Sequence, residues 1–245
     1  MTFSIVARDP ATGAFGIAVT TRFFAVGALC PHAEGAVGAI ATQALINPLL
    51  GYDGLSLLRA GQSAQAVLET LLAADPGSAS RQIHLQDAAG RIAAHTGAQC
   101  IGWCGHRIGV GFSVAGNMLA GPQVVDETFR AYAEAGSQPF AERLIAALRA
   151  GEAVGGDKRG KQSAALRIHT TEVYPALDLR VDDHDAPLAE LERLEAVSRE
   201  RFVHFAQFFS TRALPGGTHD RAVIEAAIAN ATSGQEGSRS RATST

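Results

Sequence analysis

The chain has 245 residues, of which 47% are hydrophobic and 18% are charged, and its formal net charge is -3. This length and composition indicate a compact globular protein and exclude a disordered or fibrous one. The small negative charge predicts no surface for nucleic acid or an anionic membrane, and no uninterrupted apolar run is long enough to predict a membrane span.

The three cysteines, Cys30, Cys100 and Cys104, are an odd and sparse set rather than a disulfide framework. Such a set is typical of a reducing compartment. The chain does not open with a basic segment followed by an apolar run, so we expect no signal peptide and a cytoplasmic location.

The first predicted elements form a β-hairpin. Strands over 2–8 and 14–20 are separated by a turn over 9–13, in which a proline fixes φ and a glycine reaches positive φ. A third strand is predicted over 35–43, and its many Gly and Ala residues indicate close packing against another layer.

Helices and strands alternate in groups along the rest of the chain. Hydrophobic periodicity predicts helices over 51–60, 64–74, 122–136, 140–150 and 187–209, and strands over 81–87, 91–96, 108–116, 162–169 and 177–182. Because hairpins outnumber βαβ crossovers, this order favours a layered α+β domain with helices covering largely antiparallel sheets. We predict one domain over 1–212 and a C-terminal tail over 213–245, disordered from about residue 232 because apolar periodicity is lost there.

Thr2 is the residue that most directly indicates chemistry. Removal of Met1 would leave a hydroxyl and a free α-amine on this one residue. A hydroxyl is a poor nucleophile until a base takes its proton, and an α-amine with a pKa of about 7.7–8.0 is suited to that task near neutral pH. Thr2 is therefore a candidate nucleophile. The plainer interpretation is an ordinary threonine at the start of a first strand.

A charged, glycine-rich loop is the second candidate. Asp157, Lys158 and Arg159 lie between glycines, and Gln162 and Ser163 follow at the start of a strand. Cations in such a loop are suited to bind an anionic substrate group or to lower the pKa of a neighbouring amine. A solvated surface loop is the alternative.

Other polar residues lie at the predicted ends of strands. Asn117 follows Gly116 at a strand end, in a glycine-containing segment where a side-chain amide can help to form an oxyanion hole or simply make a turn. Asn47 precedes a proline at another strand exit. Arg8 and Arg22 end the first two strands and would meet near Thr2 if those strands pair, or they are edge charges.

We expect no metal and no nucleotide cofactor. Cys100, Cys104 and His106 have a spacing that matches no common zinc pattern, and no second Cys/His pair completes four ligands. Buried small hydrophobes describe these cysteines better. The sequence contains neither a P-loop nor a dinucleotide-binding fingerprint.

Several separated segments resemble the family catalogued as domain of unknown function 1028. They are residues 2–10, 23–29, 41–44, 116–122, 155–165 and 178–184. The resemblance extends from residue 2 to residue 212 and excludes the tail. That family is grouped with the N-terminal nucleophile (Ntn) hydrolases. The resemblance therefore implies a four-layer αββα sandwich, with two antiparallel sheets between helical layers.

The resemblance also implies an activity. It is the cleavage of an amide bond in a small acylated amine or peptide-like substrate, through an acyl-enzyme ester. The implied catalytic residues are Thr2, Asn117, Asp157 and Lys158, and the implied substrate-binding residues are Arg8, Arg22, Asn47, Arg159, Gln162 and Ser163. Arg22 would take the place of a lysine that the superfamily often has near the nucleophile, with an electrostatic role only, because arginine does not exchange protons.

Two other functions stay open at this point. One is a non-catalytic binding or assembly protein on an Ntn scaffold, because a fold does not fix a function. The other is a metal-dependent hydrolase on Cys100, Cys104 and His106. We also expect a homo-oligomer, because the many small apolar residues need to be covered.

Overall fold

The computed structural model describes residues 2–136 and 138–242, with side chains described up to residue 232. Contacts divide the chain into two compact units, Met1–Glu192 and Arg193–Thr245. The predicted domain boundary at residue 212 lies later in the chain than this division, and it stays a prediction.

The first unit contains two antiparallel sheets. Its strands are β1 (Thr2–Arg8), β2 (Phe15–Thr21), β3 (Pro31–Glu34), β4 (Gly38–Ala44), β5 (Arg81–Asp87), β6 (Ile92–Thr96), β7 (Trp103–Ile108), β8 (Phe112–Leu119), β9 (Ser163–His169) and β10 (Leu177–Val181). One sheet has the order β10-β9-β2-β1-β8-β7, and the other has the order β3-β4-β5-β6. Every pairing between neighbouring strands is antiparallel.

The predicted hairpin places β1 inside the six-stranded sheet. The Asp9 carboxylate accepts hydrogen bonds from the backbone and hydroxyl of Thr12, at 3.2 and 2.6 Å, and Gly13 closes the turn at a φ of 76°. The register that follows places Arg8 opposite Phe15 and continues to the start of the chain. On its other side, β1 pairs with β8, so its first residues have strand neighbours on both sides.

Helices cover the outer face of each sheet. They are α1 (Leu49–Arg59), α2 (Ala64–Ala74), α3 (Pro122–Glu134) and α4 (Phe140–Ala153), followed by α5 (Pro187–Ser198), which begins in the first unit. Leucines of α1 and α2 pack on Ile40, Ile83 and Leu85 of the four-stranded sheet. Helices α3 and α4 contact β8, β7 and β2 of the six-stranded sheet.

The inner faces of the two sheets pack on each other. Val6, Ile17 and Val19 contribute large side chains, and Ala39 and Ala41 of β4 receive them. These small residues of β4 allow the two sheets to approach closely, as the Gly and Ala content of the segment 35–43 predicts. The α+β fold of four layers, αββα, is confirmed.

Two strands were not expected from the sequence. The strand predicted over 35–43 corresponds mainly to β4, and its first residues instead form a turn in which the Val37 N–H donates to the Glu34 carbonyl at 3.2 Å and Ala36 has a φ of 60°. Strand β3 precedes this turn and completes a second hairpin. Strand β7 lies at the edge of its sheet with an irregular register near Gly105, which weakens its alternation.

The helix predicted over 187–209 is wrong, because the structure divides it into α5 and α6 (Phe202–Ala206). The Ser198 hydroxyl donates to the Glu195 carbonyl at 2.7 Å, and Arg199 bonds to Ala196 in a tighter turn that ends the helix.

The second unit ends in the helix α7 (Arg221–Ala242), within the segment predicted as a C-terminal tail. Arg201 pairs with Glu225 at 2.6 Å within this unit. The segment predicted to be disordered begins at about residue 232. Its backbone up to Ala242 belongs to α7, whereas its side chains from residue 233 and the whole of residues 243–245 lie outside the described residues, so the disorder stays a prediction.

Candidate active site

Four polar residues form a row across the six-stranded sheet at the start of β1. Thr2 pairs with Thr21 of β2 on one side and with Asn117 of β8 on the other, and Thr21 in turn pairs with Ser163 of β9. Directly opposed residues of antiparallel strands point to the same face. The row therefore faces the space between the two sheets, as Ser4 does one alternation further along β1.

Thr2 is held on both sides and is almost buried. Its residue is 8% exposed, and its Oγ1 lies 3.0 Å from the Oγ1 of Thr21. A hydroxyl in this position has a fixed direction, and the adjacent cavity gives it access to a ligand.

A cavity of about 550 Å³ opens between the sheets at this end. Its lining residues are Thr2, Thr21, Phe23, Val26, Leu29, Ala44, Leu45, Ile46, Ser80, Gln99, Cys100, Ile101, Asn117, Met118 and Arg159. This volume is within the range of about 300–1,000 Å³ that is usual for small-molecule sites. Thr2 and Asn117, predicted from separate motifs, are thus brought together at one cavity.

Asn117 is a buried strand residue rather than an exposed turn residue. It is 2% exposed, and its Nδ2 donates to Gln82 Oε1 at 3.0 Å. The Gln82 amide donates to the Gly116 carbonyl at 2.9 Å, and Gln43 Nε2 donates to Gln82 Oε1 at 2.8 Å. These bonds from the facing sheet fix the Asn117 carboxamide at the cavity wall. A role as an oxyanion donor stays a prediction.

Asp157 ties the glycine-rich loop to the strand that carries Thr21. Its carboxylate accepts the backbone N–H of Arg22 at 3.0 Å and the backbone N–H of Arg159 at 2.8 Å. It also pairs with the Arg159 guanidinium at 3.2 Å, and its side chain is only 4% exposed. A bridge between Leu119 and Asp157 joins the loop to the end of β8. Asp157 therefore positions this corner of the cavity.

The cations of the loop lie in different places. Arg159 lines the cavity. The Nζ of Lys158 lies against Gly102, 3.5 Å from where a β-carbon on that glycine would be. Arg22 is exposed, and its guanidinium donates to the Lys161 carbonyl at 3.2 Å. Of these residues, Arg159 is the one in position to meet a ligand.

Gln162 and Ser163 serve the surrounding backbone. The Gln162 side chain donates to Asp183 at 2.9 Å, and its N–H donates to the Thr21 carbonyl at 2.9 Å. The Ser163 hydroxyl donates to the Phe23 carbonyl at 2.6 Å and accepts the Val26 N–H at 3.2 Å. Ser163 thus holds the segment that forms one wall of the cavity.

The expectation that Arg8 lies near Thr2 is wrong. Because β1 and β2 pair as a hairpin, Arg8 is opposite Phe15 at the far end of the strand, roughly 20 Å from Thr2 at about 3.3 Å per residue. Asn47 is not among the lining residues: its Oδ1 accepts the Leu49 N–H at the start of α1, at 3.2 Å.

The cysteine and histidine cluster has ordinary hydrogen bonds. The Cys100 thiol donates to the Arg81 carbonyl at 3.3 Å, and His106 Nδ1 lies 2.9 Å from the Thr96 hydroxyl. Among the described side chains, those of residues 2–136 and 138–232, no three or more of His, Cys, Asp or Glu are grouped as a metal site would need. No helix in this part of the chain has the length and apolar character to cross a membrane.

Strained backbone is concentrated at the cavity. Ala44 and Met118 line it with φ angles of 72° and 55°, and Ala25, at 52°, directly precedes the lining residue Val26. A fourth such residue, Ala36, lies in the β3–β4 turn. Left-handed non-glycine residues cost about 1–3 kcal/mol each and are found especially at active sites and ligand clamps. The strain therefore favours a functional role for this cavity.

A family of unknown function, DUF1028, has a model that matches residues 2–191 of this sequence. The chain belongs to the DUF1028 family. It is similar to the crystal structure of protein SPO2555 from Silicibacter pomeroyi, described as a DUF1028 protein, with 30% identity and a TM-score of 0.83 over 90% of this chain and 96% of that chain. Anbu, an ancestral β-subunit from Yersinia bercovieri, aligns with 11% identity and a TM-score of 0.40 over 86% of this chain and 99% of that chain. No curated protein matches the sequence.

Sequence reasoning missed a buried polar network beneath the site of this DUF1028 chain. Ser4 Oγ donates to Gln43 at 2.7 Å and lies 2.8 Å from His84 Nε2, while His84 Nδ1 lies 2.9 Å from Ser113 Oγ. Through Gln43 the network continues to Gln82 and hence to the Asn117 carboxamide. The available signal was the alternation of Gln and His along β5.

His84 makes this network sensitive to acid. Burial, and to a smaller degree the neighbouring His106, lowers the pKa of His84 from 6.5 to about 3. Between these two pH values the unfolded chain binds the proton and the folded chain does not. As far as His84 is concerned, the free energy of unfolding is therefore highest above pH 6.5 and decreases as the pH falls toward 3.

We expect His84→Gln to flatten the fall in the free energy of unfolding with acidification. One proton contributes a slope of at most about 1.4 kcal/mol per pH unit in that window. Urea unfolding at a series of pH values measures it. The variant should retain part of the slope, because burial also lowers the pKa of His32 and His169. A control, His219→Gln, removes an exposed histidine, and an equal flattening in both variants would contradict the assignment to His84.

Proposed function

We propose that this DUF1028 protein is an amide hydrolase of the N-terminal nucleophile type, with Thr2 as its nucleophile once Met1 is removed. The observation that carries the proposal is the placement of the Thr2 hydroxyl at the wall of a small-molecule-sized cavity, 3.0 Å from Thr21 Oγ1 and opposite Asn117. The αββα architecture and the strained backbone around the cavity support it.

The proposed first step is attack of Thr2 Oγ1 on the carbonyl carbon of the amide. The α-amine of Thr2 takes the hydroxyl proton, and no second residue is needed as a base. The carbonyl oxygen becomes an oxyanion, to which the Asn117 Nδ2 group donates. The C–N bond then breaks, the amine leaves with the proton, and the acyl group stays as an ester on Thr2.

Water completes the reaction. The α-amine takes a proton from water while the water oxygen adds to the ester carbonyl carbon. The bond between this carbon and Thr2 Oγ1 then breaks, the proton returns to Oγ1, and the carboxylic acid leaves. Thr21 orients the nucleophile through the 3.0 Å contact between the two hydroxyls. Asp157 keeps Arg159 at the cavity and thereby sets the charge that a substrate meets. The chemistry requires no metal or organic cofactor.

Intact mass spectrometry of untagged protein, before and after exposure to a threonine-reactive β-lactone, tests the proposal. We expect a mass that lacks Met1 and one covalent adduct that peptide mapping places on Thr2. Retained Met1 would leave Thr2 without a free α-amine, because its nitrogen would be in a peptide bond, and would contradict the proposal. An adduct on any other residue would also contradict it, because the reactive hydroxyl would then lie elsewhere.

A further inference from the structure

The cavity beside Thr2 has walls that are mainly apolar. Phe23, Leu29, Ile46, Ile101 and Met118 line it together with Val26. Phe23 and Ile101 are 57% and 63% exposed. Large apolar side chains that are exposed together around a concave surface mark a place where an apolar group binds. This region fits an aliphatic or aromatic chain rather than a sugar or a charged peptide.

One charged side chain stands among these apolar walls. Of the described residues that line it, Arg159 alone is charged. The Asp157 carboxylate that pairs with Arg159 also accepts the backbone N–H of Arg22, and Arg22 directly follows Thr21. Asp157 therefore ties the guanidinium to the backbone next to Thr21, the strand partner of Thr2. Guanidinium groups bind carboxylates through charge-assisted, often bidentate hydrogen bonds.

We infer that the substrate is an N-acyl amino acid, with an apolar acyl chain along the cavity and its carboxylate at Arg159. This assignment rests on the proposed function. In such a molecule the carboxylate is separated from the amide nitrogen by a single carbon. A cation near the nucleophile is then in position to hold the carboxylate while Thr2 faces the amide carbonyl. The acyl chain extends away from Thr2 between the apolar walls.

The N-acyl amino acid and water are the only reactants. Thr2 Oγ1 forms an ester with the acyl carbon, the C–N bond breaks, and the amino acid leaves as a free amine that carries the hydroxyl proton. Water then cleaves the ester to give the carboxylic acid and the restored hydroxyl. The two products are an apolar acid and a free amino acid.

Binding to the Thr2→Ala variant tests the assignment without turnover. Calorimetry would compare N-octanoylglycine, N-acetylglycine and N-methyloctanamide, which lacks the carboxylate. We expect N-octanoylglycine to bind at least about 100-fold more tightly than N-acetylglycine, because six additional methylene groups leave water. We also expect it to bind at least about tenfold more tightly than N-methyloctanamide.

Arg159→Gln, on the same background, should abolish the preference for the carboxylate and keep the preference for the long chain. The matched control is Lys161→Gln, which removes a cation of the same loop that pairs with Glu152 at 3.2 Å and does not line the cavity. It should keep both preferences. Equal binding of the octanoyl and acetyl compounds, or a carboxylate preference that survives Arg159→Gln, would overturn the assignment.

The outcomes separate this inference from the proposed function. Chain-length-dependent, Arg159-dependent binding without β-lactone labelling of Thr2 would remove the hydrolase and leave the ligand assignment standing. Labelling of Thr2 with no preference among the three compounds would keep the hydrolase and remove the N-acyl amino acid as its substrate.

Discussion

Thr2→Ala should lower amide hydrolysis by about 10⁴-fold or more, because it removes the hydroxyl oxygen that forms the proposed acyl-enzyme bond. The same change removes one hydrogen bond to Thr21, so the loss of stability should be about 1 kcal/mol, or roughly 2–4 °C in Tm. Steady-state kinetics and thermal unfolding measure the two effects separately. Mass spectrometry of the variant would verify that its N-terminus is processed as in the parent.

Two variants define the meaning of that result. Thr2→Ser keeps a hydroxyl beside the α-amine and should retain measurable turnover. Thr20→Ala removes a buried hydroxyl that donates to the Ser163 carbonyl at 3.1 Å. Thr20 directly precedes Thr21 in the sequence and does not line the cavity. The change should lower Tm by a similar amount and leave turnover intact. Hydrolysis that persists in Thr2→Ala would contradict a Thr2 nucleophile.

Asn117→Ala should lower kcat by about 10²–10³-fold with a smaller change in KM, because an oxyanion donor acts mainly on charge that develops in the transition state. The change also removes the hydrogen bond to Gln82 Oε1, which keeps its second donor from Gln43. The loss of stability should therefore be modest, about 1 kcal/mol.

Ser113→Ala is the matched control for Asn117. Ser113 lies in the same strand and is fully buried, and its Oγ lies 2.9 Å from His84 rather than at the cavity. It should lower stability as Asn117→Ala does and keep kcat near that of the parent. If the two variants lose only stability and to the same extent, Asn117 is a structural residue of the sheet interface.

Local sequence predicted the part of the site that depends on a short turn. The turn over 9–13 has the residues that a hairpin needs, and this pairing places Thr2 inside a sheet. Thr21 was missed because the second strand was predicted to end at residue 20, although the same register extends to it. Asn117 was selected because it follows a glycine at the end of a predicted strand, where an amide can help to form an oxyanion hole.

The network between the sheets was beyond local prediction. Gln82, His84 and Gln86 alternate along β5, and an alternating polar face in an antiparallel strand normally faces water. Here it faces a second sheet, and each of these residues is fully buried. Which face is covered depends on packing between segments far apart in sequence, and no single segment contains that information.

The role of Asp157 could not be predicted either, because it also depends on a contact between segments far apart in sequence. Its loop has several cations, which suggested a charged surface that binds substrate directly. The carboxylate instead accepts the N–H of Arg22, a residue far away in sequence. The prediction for Arg8 was wrong for the opposite reason, because this residue is near Thr2 in sequence but lies at the other end of the same strand.

The position of β1 between β2 and β8 has a consequence for synthesis of the protein. The ribosome makes β2 soon after β1, but Asn117 and the rest of β8 follow only after about a hundred further residues, on the order of ten seconds at 5–20 residues per second. During that interval the second edge of β1 has no partner, and the start of the chain is accessible to a processing aminopeptidase. Removal of Met1 can thus precede closure of the sheet, so that the proposed nucleophile would be prepared before the cavity beside it exists.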